Sequence, residues 1–187
     1  MLAVMANPRI LAGSAKGREL KVPARGTRPS PARLREALFD VIAFEPRGRF
    51  LDLFAGTGAM GLEAASRGWS AVCVELSRAA ASVIRNNATA LGLAVEVQAT
   101  DAVAYAAAHV GEFDVVVAAP PYPTDLAATF KALLGSGAAR PGALYFLQHP
   151  SDMASPPLPP ALAGAEVRRK KYGTNTLTFV RVPATDQ

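Results

Sequence analysis

Cysteine is nearly absent: Cys73 is the only one in 187 residues. One thiol cannot close an intramolecular disulfide, and it excludes a cysteine-rich zinc site. Histidine is almost as scarce, and His109 and His149 have no partners at metal-ligand spacing, so no metal is expected. No apolar run reaches the roughly 20 residues that span a bilayer. The start, Met1–Pro8, lacks a basic region followed by a hydrophobic block, so a secretory signal is not expected and the cytoplasm is the expected compartment. Charge is sparse at 19%, against 50% hydrophobic residues, which favours one packed domain over disorder. Acids are missing where bases crowd. Residues 1–35 carry Arg9, Lys16, Arg18, Lys21, Arg25, Arg28, Arg33 and Arg35 against Glu19 alone. A second basic cluster is Arg168-Arg169-Lys170-Lys171, and such bias suits a phosphate-rich partner.

Strand-like apolar runs then alternate with helical stretches. The pattern predicts strands at 49–54, 71–75, 94–98, 113–118, 143–149, 166–171 and 175–182. Helices are predicted at 58–67, 77–91, 101–109 and 124–135, with a short one within 151–163. A further helix opens at Ser30-Pro31, with Ser30 as its cap, a stripe of Leu34, Leu38, Val41 and Ile42, and an end at Pro46 and Gly48. Near-continuous Val/Leu/Phe runs argue for a mostly parallel sheet covered on both faces. The two last runs flank Tyr172-Gly173-Thr174 and read as a closing antiparallel hairpin. Two short strands around Gly13 and Gly17 read as an N-terminal hairpin. The expected fold is α/β and Rossmann-like, seven-stranded, with a basic extension at 1–26 and a main domain at 27–187.

Leu51-Asp52-Leu53-Phe54-Ala55-Gly56-Thr57-Gly58-Ala59-Met60-Gly61 joins the first core strand to its helix. Glycines there let the backbone turn sharply against a ligand, at the carboxyl edge where doubly wound sheets bind theirs. Glu75 ends the next strand, where a carboxylate can accept both ribose hydroxyls. Asp101 follows the third strand and can accept from an adenine amine, with the Ala102 N–H near a ring nitrogen. Asp101 also suits a helix N-terminus as a favourable charge. No Lys-Ser/Thr follows the glycines, which argues against a nucleotide triphosphate. The form Asp-x-Phe-Ala-Gly-Thr-Gly resembles motif I of class I S-adenosylmethionine-dependent methyltransferases. That resemblance adds Asp52, Phe54, Ala55, Gly56, Thr57, Gly58 and Leu76 as cofactor-binding residues.

Ala119-Pro120-Pro121-Tyr122 closes the fourth strand. It resembles the Asp/Asn/Ser-Pro-Pro-Tyr/Phe signature of amino-methyltransferases, with alanine where the motif has a polar residue. Ile10–Arg18, Thr27-Arg28-Pro29-Ser30-Pro31 with Arg35–Phe39, and Lys171-Tyr172-Gly173 leading into Thr176-Leu177-Thr178 resemble signatures of the bacterial small-subunit rRNA guanine-N2 methyltransferases of the RsmD type. The resemblance runs from about residue 9 to residue 181. It implies methylation of a guanine N2 in 16S rRNA, in an assembling or assembled small subunit, by a monomer with S-adenosylmethionine as cofactor.

Under that resemblance Ala119, Pro120, Pro121 and Tyr122 form the catalytic motif. The Pro120 carbonyl accepts an amine hydrogen, and Tyr122 stacks on a base taken out of its stack. Ala119 has no side-chain acceptor, and loss of one preorganised group typically costs about 2.7–4 kcal/mol, roughly 10²–10³ in rate. Arg9, Lys16, Arg18, Arg28, Arg33 and Arg35 are the expected phosphate ligands. Two other readings stay open: an adenine-N6 methyltransferase, which uses the same Pro-Pro-Tyr motif, and a non-catalytic protein that binds S-adenosylmethionine and RNA.

Overall fold

A seven-stranded sheet organises the structure, a computed structural model that describes residues 6–24, 30–121 and 124–185. The chain runs α1 (Ala32–Val41), β1 (Arg49–Leu53), α2 (Ala59–Ser66), β2 (Ser70–Val74), α3 (Arg78–Leu91), β3 (Val95–Gln98), α4 (Ala102–Ala108), β4 (Phe113–Ala118), α5 (Leu126–Gly135), β5 (Ala139–Pro150), a 3-10 turn (Pro160–Leu162), β6 (Glu166–Tyr172) and β7 (Asn175–Arg181). The strand order is β3-β2-β1-β4-β5-β7-β6. The first five are parallel, and β7 runs antiparallel to both β5 and β6. The expected seven strands and closing hairpin are therefore present.

Helices cover both faces, which explains the unbroken apolar runs in the central strands. On one face Leu51, Leu53, Val72, Val116 and Leu147 pack with Phe130 and Leu133 of α5. On the other, Phe50, Val115, Val117 and Phe146 pack with Leu38 and Phe39 of α1 and Met60 of α2. Trp69 lies edge-on to Phe50, with ring centroids 6.0 Å apart. Short polar side chains start α3, α4 and α5: Ser77, Asp101 and Asp125 accept from the N–H groups of Ala80, Ala104 and Ala128.

Several local expectations need correction. Ser30 does not cap α1: Pro31 occupies the N-cap, and no side-chain cap bond forms. The helix stops at Val41, well before Pro46, because Ile42 already leaves helical geometry. Leu34, Leu38 and Ile42 are buried, but Val41 is turned outward and 45% exposed. Strand β5 begins four residues earlier than predicted, running through Pro141 with a register shift between Phe113 and Val115 that absorbs the irregularity. The N-terminal hairpin is a chain reversal closed by a single antiparallel bridge, Arg9 with Glu19. Its Ile10, Ala15 and Leu20 are buried among Leu62 of α2 and Ile84 of α3. Among the described residues, no helix is long and apolar enough to cross a membrane.

Candidate active site at the carboxyl edge of the sheet

The four parallel strands β1 to β4 end along one edge, and the sequence-predicted groups hang from those ends. After Leu53 the backbone turns through Phe54, Gly56 and Gly58, with φ of 57°, 56° and 76°. Phe54 is the one non-glycine residue in left-handed geometry among those described, a costly choice that concentrates at functional sites. The turn is held from both sides. Ala55 N–H donates to the Val74 carbonyl (2.9 Å), and Gly58 N–H to the Ala55 carbonyl (2.7 Å).

Glu75 clamps the same turn. Its Oε2 accepts from Gly56 N–H at 2.8 Å, and its Oε1 from Ser77 N–H at 3.1 Å. Each carboxylate oxygen keeps a second lone-pair site, so ribose hydroxyls can still be bound. Leu76 beside it is 71% exposed, an apolar surface ready to cover a flat ring. Asp101 uses Oδ1 to cap α4 through Ala104 N–H (2.8 Å), which is the helix-terminal role, yet its side chain stays exposed at the end of β3.

Asp52 lies beneath the turn, with Oδ2 accepting from Gly61 N–H at 2.9 Å. Burial holds its carboxyl up at about 7, against the opposing pull of that hydrogen bond. Gly61 is required there, since a Cβ would meet Cys73 Sγ at 2.3 Å. Cys73 itself is fully buried, and burial pushes its thiol well up, as an inert core residue requires.

Asp52, Phe54, Ala55, Gly56 and Thr57 share one cleft with Ala119, together with Ser30, Ala59, Met60 and Val117. Its volume is about 50 Å³. The glycine turn and the start of the Ala-Pro-Pro segment thus meet at one place. Pro120 is buried, and its carbonyl has no donor among the described residues, whereas that of Pro121 accepts from Thr124 N–H (3.1 Å). Tyr122 and Arg28 lie outside the described residues. A larger hollow of about 200 Å³ opens at the opposite edge, between Glu45, Trp69, Asp114 and Arg140. There Asp114 is tied to Arg140 and to the Arg49 N–H, and Glu45 to Arg181, so its charges are spent on holding the sheet together.

The expected phosphate ligands divide. Arg35 is a correction: it is 2% exposed, donating to the Arg9 carbonyl (3.0 Å) and paired with Glu63 (3.5 Å) inside the protein. A guanidinium sealed there cannot reach a phosphate. Arg9 is exposed but bound to Glu19 at 2.9 Å. Lys16 and Arg18 sit where α2 and α3 end, toward the amino edge of the sheet, and Arg18 donates to the Ala90 carbonyl. Arg33 follows the cleft residue Ser30 by three positions, and its guanidinium lies 5.4 Å from the Tyr172 ring centroid.

Four cleft residues were not among the expected site residues: Ser30, a wall rather than a cap, Ala59 and Met60 of the glycine-turn segment, and Val117. Val117 was legible, since two-residue alternation puts it on the face of Ala119. Gln148 was not expected either. The last β4–β5 register pair is Ala118 with Leu147, so Gln148 stands one step on, beside Ala119. Its Oε1 is buried and unpartnered among the described residues.

The chain matches the family described as Conserved hypothetical protein 95 over residues 8–181. It is 33% identical over 156 residues to ribosomal RNA small subunit methyltransferase D of Escherichia coli K12, covering 81% of this chain and 79% of that protein. It belongs to the RsmD-type methyltransferase family. A solved structure of a hypothetical protein from Thermus thermophilus is 47% identical and superposes with a TM-score of 0.82, over 94% of this chain and 99% of that one. The T. thermophilus 16S rRNA N2 G1207 methyltransferase RsmC, solved with AdoMet and guanosine, shares the fold at 23% identity and a TM-score of 0.69, over 94% of this chain and 49% of that one. The RsmD-type chain therefore carries a class I methyltransferase fold, and its cleft falls at the edge where such sheets bind ligands.

Proposed function

We propose that this protein transfers the methyl group of S-adenosylmethionine to the exocyclic N2 amine of a guanine in 16S rRNA of the small ribosomal subunit. One observation carries the reading: the strained turn from Phe54 to Thr57 and Ala119 at the end of β4 line one cleft. The cofactor supplies an activated methyl on a sulfonium sulfur.

The chain's residues do the rest. The glycine turn gives close backbone approach, and Glu75 accepts the ribose hydroxyls while already tied to the turn it must complement. Leu76 would cover the adenine, Asp101 would accept from its amine, and the Ala102 N–H would donate to a ring nitrogen. The guanine amine is a poor nucleophile, because its lone pair is delocalised into the ring. Holding it in line and accepting its hydrogens therefore matters most. The Pro120 carbonyl, which has no donor among the described residues, takes that task, and Tyr122 stacks on the extruded base. Ala119 leaves the second acceptor place without a side-chain oxygen, so turnover falls about 10²–10³ below that of an enzyme that has one.

That same alanine favours a second reading, a non-catalytic protein that binds S-adenosylmethionine and RNA. Labelled cofactor is incubated with naked 16S rRNA, with partly assembled small subunits and with duplex DNA. Label is expected in the ribosomal RNA alone. Cofactor binding by calorimetry with no label in any RNA decides for the non-catalytic reading.

A further inference from the structure

We propose that strand β6, the outer edge of the sheet, grips the phosphate backbone of the RNA whose base enters the cleft. This rests on the RNA reading above and names the surface that serves it. Arg168, Arg169, Lys170 and Lys171 are consecutive and all exposed on this strand. The strand's one acid, Glu166, pairs among the described residues only with Arg168, at 2.6 Å, with both side chains more than half exposed. Arg169 donates to the Met153 carbonyl at 3.2 Å, and Lys171 has no ion-pair partner among the described residues.

Cations on an edge strand also keep sheets from pairing with each other, so exposure alone decides nothing. Direction decides. The β6–β7 turn is pinned to the end of β5: Ser151 N–H donates to the Thr174 carbonyl (2.9 Å), and Ser151 Oγ to the Gly173 carbonyl (3.0 Å). Because β5 is parallel to β4, that turn stands at the edge where β4 runs into Ala119. Tyr172 then bridges the turn to α1. The Arg33 guanidinium and the Lys170 ammonium each lie 5.4 Å from its ring centroid. Ser30, one turn before Arg33, lines the cleft.

A cationic path therefore leaves the cleft at Ser30, passes Arg33 and Tyr172, and continues down β6. Alternation puts Arg168 and Lys170 on the α1 side, and Arg169 and Lys171 on the other. Like-facing cations recur about every 6.6 Å along the strand, a ladder that a nucleic-acid backbone running along the edge meets from both sides. Lys16 and Arg18 lie toward the opposite edge and cannot hold the strand that delivers a base to this cleft.

The test compares the full chain with a variant carrying Arg168→Gln, Arg169→Gln, Lys170→Gln and Lys171→Gln. Two controls accompany it: Lys16→Gln with Arg18→Gln, and the conservative Lys170→Arg with Lys171→Arg. Binding to a 16S rRNA transcript is measured between about 50 and 200 mM salt, where each lost phosphate contact lowers the slope of log affinity on log salt by about 0.7–0.9. The four-site variant is expected to lose about 3–4 units of slope, one share for each of its four cations, while both controls keep the wild-type slope. Cofactor affinity and melting temperature stay at wild-type values, since the four sites are exposed and outside the cleft. An unchanged slope in a variant that still binds cofactor overturns the proposal, as does an equal loss in the Lys16/Arg18 control. A wild-type chain that neither binds nor methylates the transcript overturns the RNA reading as well, which separates the two failures.

Discussion

Asparagine in place of Ala119 puts a side-chain acceptor at the end of β4, where alanine has none. Ala119 directly follows β4 and lines the cleft beside Val117, so a side chain there points at Ser30 and the glycine turn. Asparagine serves better than aspartate. Asp52 shares that cleft, its carboxyl held up to about 7 by burial first, with the Glu75 charge contributing to the rise. Another carboxylate there would be driven toward its neutral form, whereas an amide oxygen accepts without charge. A preorganised acceptor is worth about 2.7–4 kcal/mol of transition-state stabilisation, so Ala119→Asn should raise the single-turnover rate about 10²–10³-fold. Because the gain arises in the transition state, cofactor affinity should not move. The assay is methyl transfer from labelled cofactor to 16S rRNA under single-turnover conditions, beside cofactor calorimetry. Equal rates for the wild-type chain and the Ala119→Asn variant refute the reasoning. They would mean that another oxygen already accepts the amine, and Gln148 Oε1 is then the first to remove.

Three further outcomes follow from buried groups. Asp52 ionises near 3.8 when unfolded but stays protonated to about 7 when folded. The unfolded chain thus releases its proton first, and stability should fall as pH rises from about 4 to about 7, then level off. Asp52→Asn keeps an acceptor for Gly61 N–H and should abolish that fall; denaturant midpoints that drop equally in both proteins contradict it. Glu63, whose side chain is 0% exposed, accepts from the Leu11 and Ala12 N–H groups and pairs with Arg35 and Arg67. Glu63→Leu leaves Arg35 buried without its partner and should cost about 3–5 kcal/mol in urea unfolding, where a loss below about 1 speaks against the pair. Gly61→Ala drives a Cβ into Cys73 Sγ and should cost about 1–3 kcal/mol, partly recovered by Cys73→Ala; no recovery means that the strain lies elsewhere.

Much of this architecture could be read from the chain, because parallel strands buried on both faces leave continuous apolar runs and glycines mark the turn after β1. Phe113–Ala118 and Phe50–Leu53 emerged as strands for that reason. Burial of charge could not be read so. Arg35 looks like any other base in a basic stretch, and its partner Glu63 is 28 residues away on another helix. Ser30 has the chemistry of a cap, but Pro31 takes that place and turns Ser30 toward the cleft. Pro141 hides a strand that in fact passes through it, because the register shift opposite lets the ladder continue. The significance of β6 depends on Ser151 pinning a turn more than 20 residues away, a long-range contact that no local pattern encodes.

The account turns on which atom receives the methyl group, and that atom can be read chemically. 16S rRNA incubated with the purified chain and labelled S-adenosylmethionine is digested to nucleosides and resolved by liquid chromatography with mass spectrometry. The account expects the label in N2-methylguanosine, at one site. Label in N6-methyladenosine, or RNA that stays unlabelled after prolonged incubation with excess enzyme, contradicts it.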